Sequence, residues 1–88
     1  MANITNPSTK KIYDLIMSDI DRNLKESKKG YSKLSNTEIA NALNMSAFTV
    51  RDKMLKMTKR GYFQRVNDYW DEYNKFHARV IYKGKIEG

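Results

Sequence analysis

Leu34-Ser35-Asn36-Thr37-Glu38-Ile39-Ala40-Asn41-Ala42-Leu43-Asn44-Met45-Ser46, continuing through Thr49-Val50 and Met54 to Gly61-Tyr62-Phe63, is the stretch that decides the fold. Ser35-Asn36-Thr37-Glu38 has the form of a capping box. Its serine hydroxyl can accept the backbone N–H three residues on, while the glutamate reaches back to the serine N–H. A short helix with Ile39, Ala40 and Leu43 inward is expected to follow. Asn44 is among the few non-glycine residues that tolerate the left-handed conformation, so the helix should close there. Ser46 caps a second helix that carries Val50, Met54 and Met57 on one face and stops at Gly61, the natural left-handed C-cap.

Two helices joined by Asn44-Met45-Ser46 make a helix-turn-helix unit. Ala40 is small enough to let them cross closely, and Ile39, Leu43, Met45, Val50 and Met54 form the apolar wedge that fixes the crossing. Upstream, Ile12, Leu15, Ile16, Ile20 and Leu24 recur at three- and four-residue steps, widened by Tyr13 and Met17. This predicts an amphipathic helix ending near Glu26, begun by Asn6 before Pro7 or by Ser8 as the competing cap. Asp14, Asp21, Arg22 and Lys25 fall on its wet side. Ser27 to Lys33 reads as a polar, basic loop around Gly30, with a short strand stub at Lys33-Leu34. Beyond Gly61 the period changes. Tyr62 to Val66 and Ala78 to Tyr82 are rich in β-formers and predict a hairpin with a long connection opened by Asn67-Asp68.

Eighty-eight residues allow one domain with one modest core and no second module. The expected organisation is a flexible N-terminus over 1–7, a single domain over 8–83 and a flexible basic tail over 84–88. Seventeen Lys and Arg against ten Asp and Glu give a net charge of +7, which attracts polyanions. The chain has no cysteine, hence no disulfide framework or thiolate zinc site. Without a signal-like or membrane-spanning apolar run, a cytoplasmic protein with no membrane partner is expected.

Residues 34–66 resemble, without a gap in register, the winged helix-turn-helix superfamily of prokaryotic, phage and plasmid DNA-binding proteins. In that superfamily the stretch typically reads LS-x-x-E-hydrophobic-A-x-x-L-x-hydrophobic-S-x-x-T-hydrophobic and closes with G-hydrophobic-hydrophobic. The resemblance implies an α+β, mainly α fold: three helices with a C-terminal β-hairpin wing. It implies that Ser46 to Arg60 is a recognition helix, with Ala47, Phe48, Thr49, Arg51, Asp52 and Lys53 outward near its start. Ser46 leaves backbone amides near phosphate height, where the helix dipole favours an anion. Arg51 suits guanine because its planar fork matches O6 and N7. Thr49 suits a phosphate or a base, and Phe48 or Ala47 a thymine methyl. Lys53, Lys56, Lys59 and Arg60 suit phosphates, with Arg65 flanking on the hairpin. Lys33, in the second basic cluster, is either a phosphate clamp beside that helix or part of a solvated loop.

Two features depart from the pattern. Asp52 would repel phosphate unless it pairs with Arg51 or accepts from a cytosine amine. The hairpin tip, Asp68-Tyr69-Trp70-Asp71-Glu72-Tyr73, is acidic where wings that enter a minor groove lead with Arg or Lys. Tyr69, Trp70, Tyr73 and Phe76 either pack the hairpin onto the domain or face a partner or second copy. His77 stands alone, so no metal site is expected. No catalytic constellation appears, and no cofactor or enzymatic role is expected. The expected function is sequence-specific binding of double-stranded DNA as a homodimer, for transcription regulation or for plasmid or phage replication or partition. An adaptor that binds proteins through the acidic aromatic hairpin is the alternative from another class.

Overall fold

The structure is a computed structural model that describes Ile4 and residues 6–86. It is a small α+β domain of three helices and antiparallel strands. Helix α1 spans Pro7–Ser27, and its cap is Asn6, whose side chain accepts the Thr9 N–H at 3.1 Å. Pro7 therefore stands at the first helical position, where a missing N–H costs nothing. The helix ends on a left-handed Lys28 rather than on Gly30.

Strand β1 is Tyr31–Ser32, two residues ahead of the stub expected at Lys33-Leu34. Its position is set by pairing with β5 (Val80–Lys83): Tyr31 lies opposite Tyr82 and Ser32 opposite Ile81. Strand β2 (Phe63–Val66) pairs along the other edge of β5, so the order across the sheet is β1-β5-β2. The long connection is not irregular throughout. It holds a second, two-stranded ladder of β3 (Tyr69–Trp70) and β4 (Phe76–His77).

Between β1 and β2 lie α2 (Asn36–Leu43) and α3 (Ala47–Arg60). Both halves of the capping box are formed, Glu38 N–H to Ser35 Oγ at 3.1 Å and Ser35 N–H to Glu38 Oε1 at 3.2 Å. Asn44 closes α2 in the left-handed conformation at φ 54°. At the end of α3, the N–H groups of Gly61 and Tyr62 return to the carbonyls of Thr58 and Met57. This double return with a left-handed Gly61 reverses the chain and delivers Tyr62 and Phe63 to the core.

The core is one cluster drawn from every layer: Ile12, Tyr13, Ile16 and Ile20 from α1, Ile39 and Ala40 from α2, Val50, Met54 and Met57 from α3, then Tyr62, Phe63 and Ile81. Each large side chain buried this way contributes about 1.5–3 kcal/mol. Tyr13 packs its ring against Tyr62 edge-on and against Phe63 at 5.5 Å. Leu15, Leu43 and Met45 pack against this cluster half-buried, whereas Leu24 extends past it and is exposed. Periodicity placed Leu24 on the stripe, but the buried part of that stripe ends at Ile20.

The chain beyond β5 is tied down as far as it is described. Gly84 N–H donates to Tyr62 O at 2.9 Å and Ile86 N–H to Gly61 O at 3.1 Å. A Cβ on Gly84 would fall 2.0 Å from the Gly61 carbonyl oxygen, so only glycine fits there. Residues 84–86 therefore belong to the folded unit rather than to a loose tail. Of the expected flexible N-terminus over 1–7, Asn6 and Pro7 are the cap and first residue of α1 and Ile4 packs on the core. Residues 1–3, 5, 87 and 88 lie outside the described residues. Among the described residues, no helix is long and apolar enough to cross a membrane.

Candidate nucleic-acid interface

Helix α3 turns one face into the core and leaves the rest open. Ala47, Phe48, Arg51, Asp52, Leu55, Lys56, Lys59 and Arg60 are all exposed, Phe48 to 76%. At its start, Ser46 Oγ accepts the Thr49 N–H at 3.1 Å and donates to Thr49 Oγ1 at 2.8 Å. That arrangement leaves the first backbone N–H groups of α3 aimed outward with no acidic residue in the first turn to neutralise them. Thr49 is half-buried and its hydroxyl oxygen is engaged by the cap, so its reach toward a ligand is short.

Asp52 pairs with Lys56 at 3.1 Å, not with Arg51. The i,i+4 spacing along the helix brings these two together, whereas neighbours in sequence point about 100° apart. Arg51 makes no ion pair or side-chain hydrogen bond among the described residues, and neither do Lys53, Lys59 and Arg60. The helix therefore shows two cationic flanks. Arg51 lies on one side with Phe48 and Leu55; Lys53, Lys56 and Arg60 line a groove of about 210 Å³ on the other, with Asn6 and Thr9 from the start of α1.

The remaining predicted cations fall elsewhere. Lys33 lies over the Tyr31 ring at 5.8 Å and borders clefts with α1, the start of α2 and the hairpin, none of which includes a residue of α3. Arg65 is half-buried on β2, opposite Ile81. Its charge acts on Arg79, whose guanidinium pKa is pushed below its ordinary value first by burial and then by Arg65, with Asp68 opposing. Arg79 is a tether: it donates to Asn36 Oδ1 at 2.8 Å and to the Leu34 carbonyl at 2.7 Å, fixing the hairpin to the start of α2.

The hairpin tip does not pack onto the body. Tyr69, Trp70, Tyr73 and Phe76 are exposed, Trp70 to 64% and Tyr73 to 77%. They pair locally instead: Trp70 with Phe76 at 5.2 Å, and Tyr69 stacked on His77 at 4.7 Å. The acidic character of the tip is partly internal. Asp71 Oδ1 accepts the N–H groups of Tyr73 and Lys75, each at 2.9 Å, and Oδ2 meets His77 Nε2 at 2.8 Å. The bond to His77, with those backbone donors, holds the Asp71 carboxyl below the usual carboxylate range.

Several residues that matter here were not anticipated. Asp19 is buried on α1, paired with Arg22, and shares Asn23 with the Tyr31 carbonyl. A buried carboxylate needs such partners. Its i,i+3 spacing to Arg22 was the available signal. Leu55, exposed on α3, and the Tyr31–Tyr82 pair across the sheet were also missed; register, which sets the second, is not written in either strand alone. Among the described residues, no three His, Cys, Asp or Glu side chains stand together as a metal cluster. Comparison with protein-family models, with curated proteins and with solved structures returns no match.

Proposed function

We propose that this chain is a winged helix-turn-helix protein that binds double-stranded DNA in a sequence-specific manner as a homodimer. It would serve as a transcription regulator or as a plasmid or phage replication or partition factor. One observation carries the reading: α3 is an uncovered helix whose surface holds the exposed Arg51, Lys56, Lys59 and Arg60 with the half-buried Lys53, and whose one carboxylate, Asp52, is already paired. A helix about 10–12 Å across with that charge fits a major groove of about 12 Å. The three helices with a C-terminal hairpin, and the left-handed Asn44 between α2 and α3, support the same reading.

In this reading Arg51 reads guanine, and Phe48 or Ala47 meets a thymine methyl. The flank of Lys53, Lys56 and Arg60 meets one phosphate strand and Lys59 adds to the field. A single helix of this length spans three or four base pairs, so specificity calls for two half-sites about one helical turn apart. The outward side of α1 is charged (Lys11, Asp14, Asp21, Arg22, Lys25), which favours the tip residues Trp70 and Tyr73 over α1 as the self-association surface.

Selection of bound duplexes from a random pool, followed by titration of the winning sequence at several salt concentrations, tests this. Log affinity should fall steeply with log salt, because phosphate contacts release counterions. Arg51→Ala should cost about 1–3 kcal/mol and relax preference at one base position. Lys59→Ala should flatten the salt slope with preference intact. No duplex affinity at physiological salt would overturn the reading and leave the hairpin adaptor, which the exposed Trp70 and Tyr73 favour.

A further inference from the structure

Alternation along β5 divides the sheet into two faces. Ile81 turns inward with Ser32 and Phe63, and all three are buried. Tyr82 lies in register with Tyr31 on one side and Gln64 on the other, and both tyrosines border the outer face. Their rings stand 5.6 Å apart and nearly perpendicular. Farther along, the Tyr69–His77 stack borders the same face. Between the two ring pairs runs an open groove of about 480 Å³, whose walls include Tyr31, Lys33, Val66, Tyr69, His77 and Tyr82 and no carboxylate.

The charge at the end of this groove is positive. Tyr31 and Lys33 also border the next cleft, which adds Lys29. The two carboxylates of that cleft are engaged, Asp19 by Arg22 and Glu38 by the cap of α2. Aromatic rings along a groove with cations at its rim are the two requirements for holding unpaired bases: ring faces for the bases and lysines for the phosphates.

We propose that this outer sheet groove binds single-stranded DNA, its bases stacking on Tyr82, Tyr31 and the Tyr69–His77 pair and its phosphates passing Lys33 and Lys29. A duplex offers no free base faces, so it gains nothing from these rings. An apolar protein segment would use the rings but leave the lysines idle. No residue of α3 lines the groove, so the duplex surface and the single-strand surface are separate. The groove's chemistry stands without the duplex reading; the choice of DNA over RNA rests on it.

The test uses the full chain and a labelled oligothymidylate of about 12 nucleotides, read by anisotropy and by quenching of Trp70, the one tryptophan, which sits against Phe76 at the groove's edge. Wild type should bind, and Tyr82→Ala should weaken binding about tenfold or more, since one stacked base is worth about 1–3 kcal/mol. Tyr82→Phe, which keeps the ring, should bind as wild type. Because Tyr69 lies outside the core cluster, Tyr69→Ala provides a second loss variant that keeps the helical body and the three-stranded sheet folded. Arg51→Ala should leave oligothymidylate binding unchanged while reducing duplex binding, and Tyr82→Ala should do the reverse. No binding of the oligomer, equal binding by Tyr82→Ala and Tyr69→Ala, tighter binding of an oligouridylate of the same length, or a shift in sedimentation with Tyr82→Ala in place of an affinity change would each overturn the proposal.

Discussion

The helical body and the β3–β4 ladder are held together by different physics. Side chains of the body converge on one buried cluster, and its helix ends are closed by Ser35, Asn44 and Gly61. The ladder has no substantial contact with a helix or with the other sheet among the described residues. It rests on two ring pairs and on the backbone bonds that Asp71 collects. An isolated two-stranded hairpin is marginal in water. The aromatic residues on this element are exposed to between 50% and 77%, so burial of their rings adds little to the stability of the body.

The sharpest way to break this contrast is a pair of truncations. Phe63→Ala removes a fully buried ring from the centre of the cluster and should cost about 3–5 kcal/mol in urea unfolding. Trp70→Ala removes a larger ring and should change unfolding by about 0.5 kcal/mol or less, while reducing self-association in sedimentation. Comparable losses from the two would mean that the tip is part of the cooperative unit.

Gly84 marks where the body ends along the chain. An alanine there would drive its Cβ into the Gly61 carbonyl and the Tyr62 backbone, neither of which can swing aside. A loss of about 1–3 kcal/mol is expected, the range for overpacking. A neutral Gly84→Ala would show that residues 84–86 come away from the fold without cost.

Ser35→Ala probes the body at its rim. It removes the acceptor for the Glu38 N–H and half of the reciprocal box, with an expected cost of about 1 kcal/mol. The loss should appear in unfolding and leave the amide spectrum of Asp71 to Lys75 unchanged, since α2 reaches the hairpin through Asn36 and Leu34 rather than through Ser35.

The body was legible in the sequence because its signals are local. The Ser35–Glu38 box, the left-handed Asn44, the caps Ser46 and Gly61 and the inward Val50, Met54 and Met57 each rest on residues within a few positions of one another. What stayed hidden depends on contacts distant in sequence. The position of β1 was misplaced because pairing with β5, some fifty residues on, decides it. The tether role of Arg79 has no local signal, because its acceptors, Asn36 and Leu34, lie more than forty residues upstream. Gly84 resembled the start of a tail because nothing nearby reveals the close approach of Gly61. At the candidate interface, the cations of α3 were legible as a helical face, but the pairing of Asp52 with Lys56 was not chosen, although i,i+4 spacing made it available. The outer sheet groove required the register of three strands.

The smallest expected effect isolates the tip. Asp71 has a lowered carboxyl pKa in the folded tip, chiefly through His77 and the Lys75 N–H, so folding of the ladder favours the deprotonated form. The sign follows: this contribution is fully present above the ordinary carboxylate value of 3.8 and is lost as pH falls through the lower value of the folded tip. Asp71 is half-buried within the tip and lies outside the core cluster, which keeps the effect local. The amides of Tyr73 and Lys75, both bonded to Asp71 Oδ1, report on that carboxylate in NMR spectra from neutral pH downward. At more acid pH they should move before the amide of Ile81 in the central strand does. Asp71→Ala should give the acid-form shifts of those two amides at every pH while leaving Ile81 in place. If the Ile81 amide moved together with them in that variant, tip and body would be one cooperative structure, and the exposed rings would have to be counted among the groups that stabilise the fold.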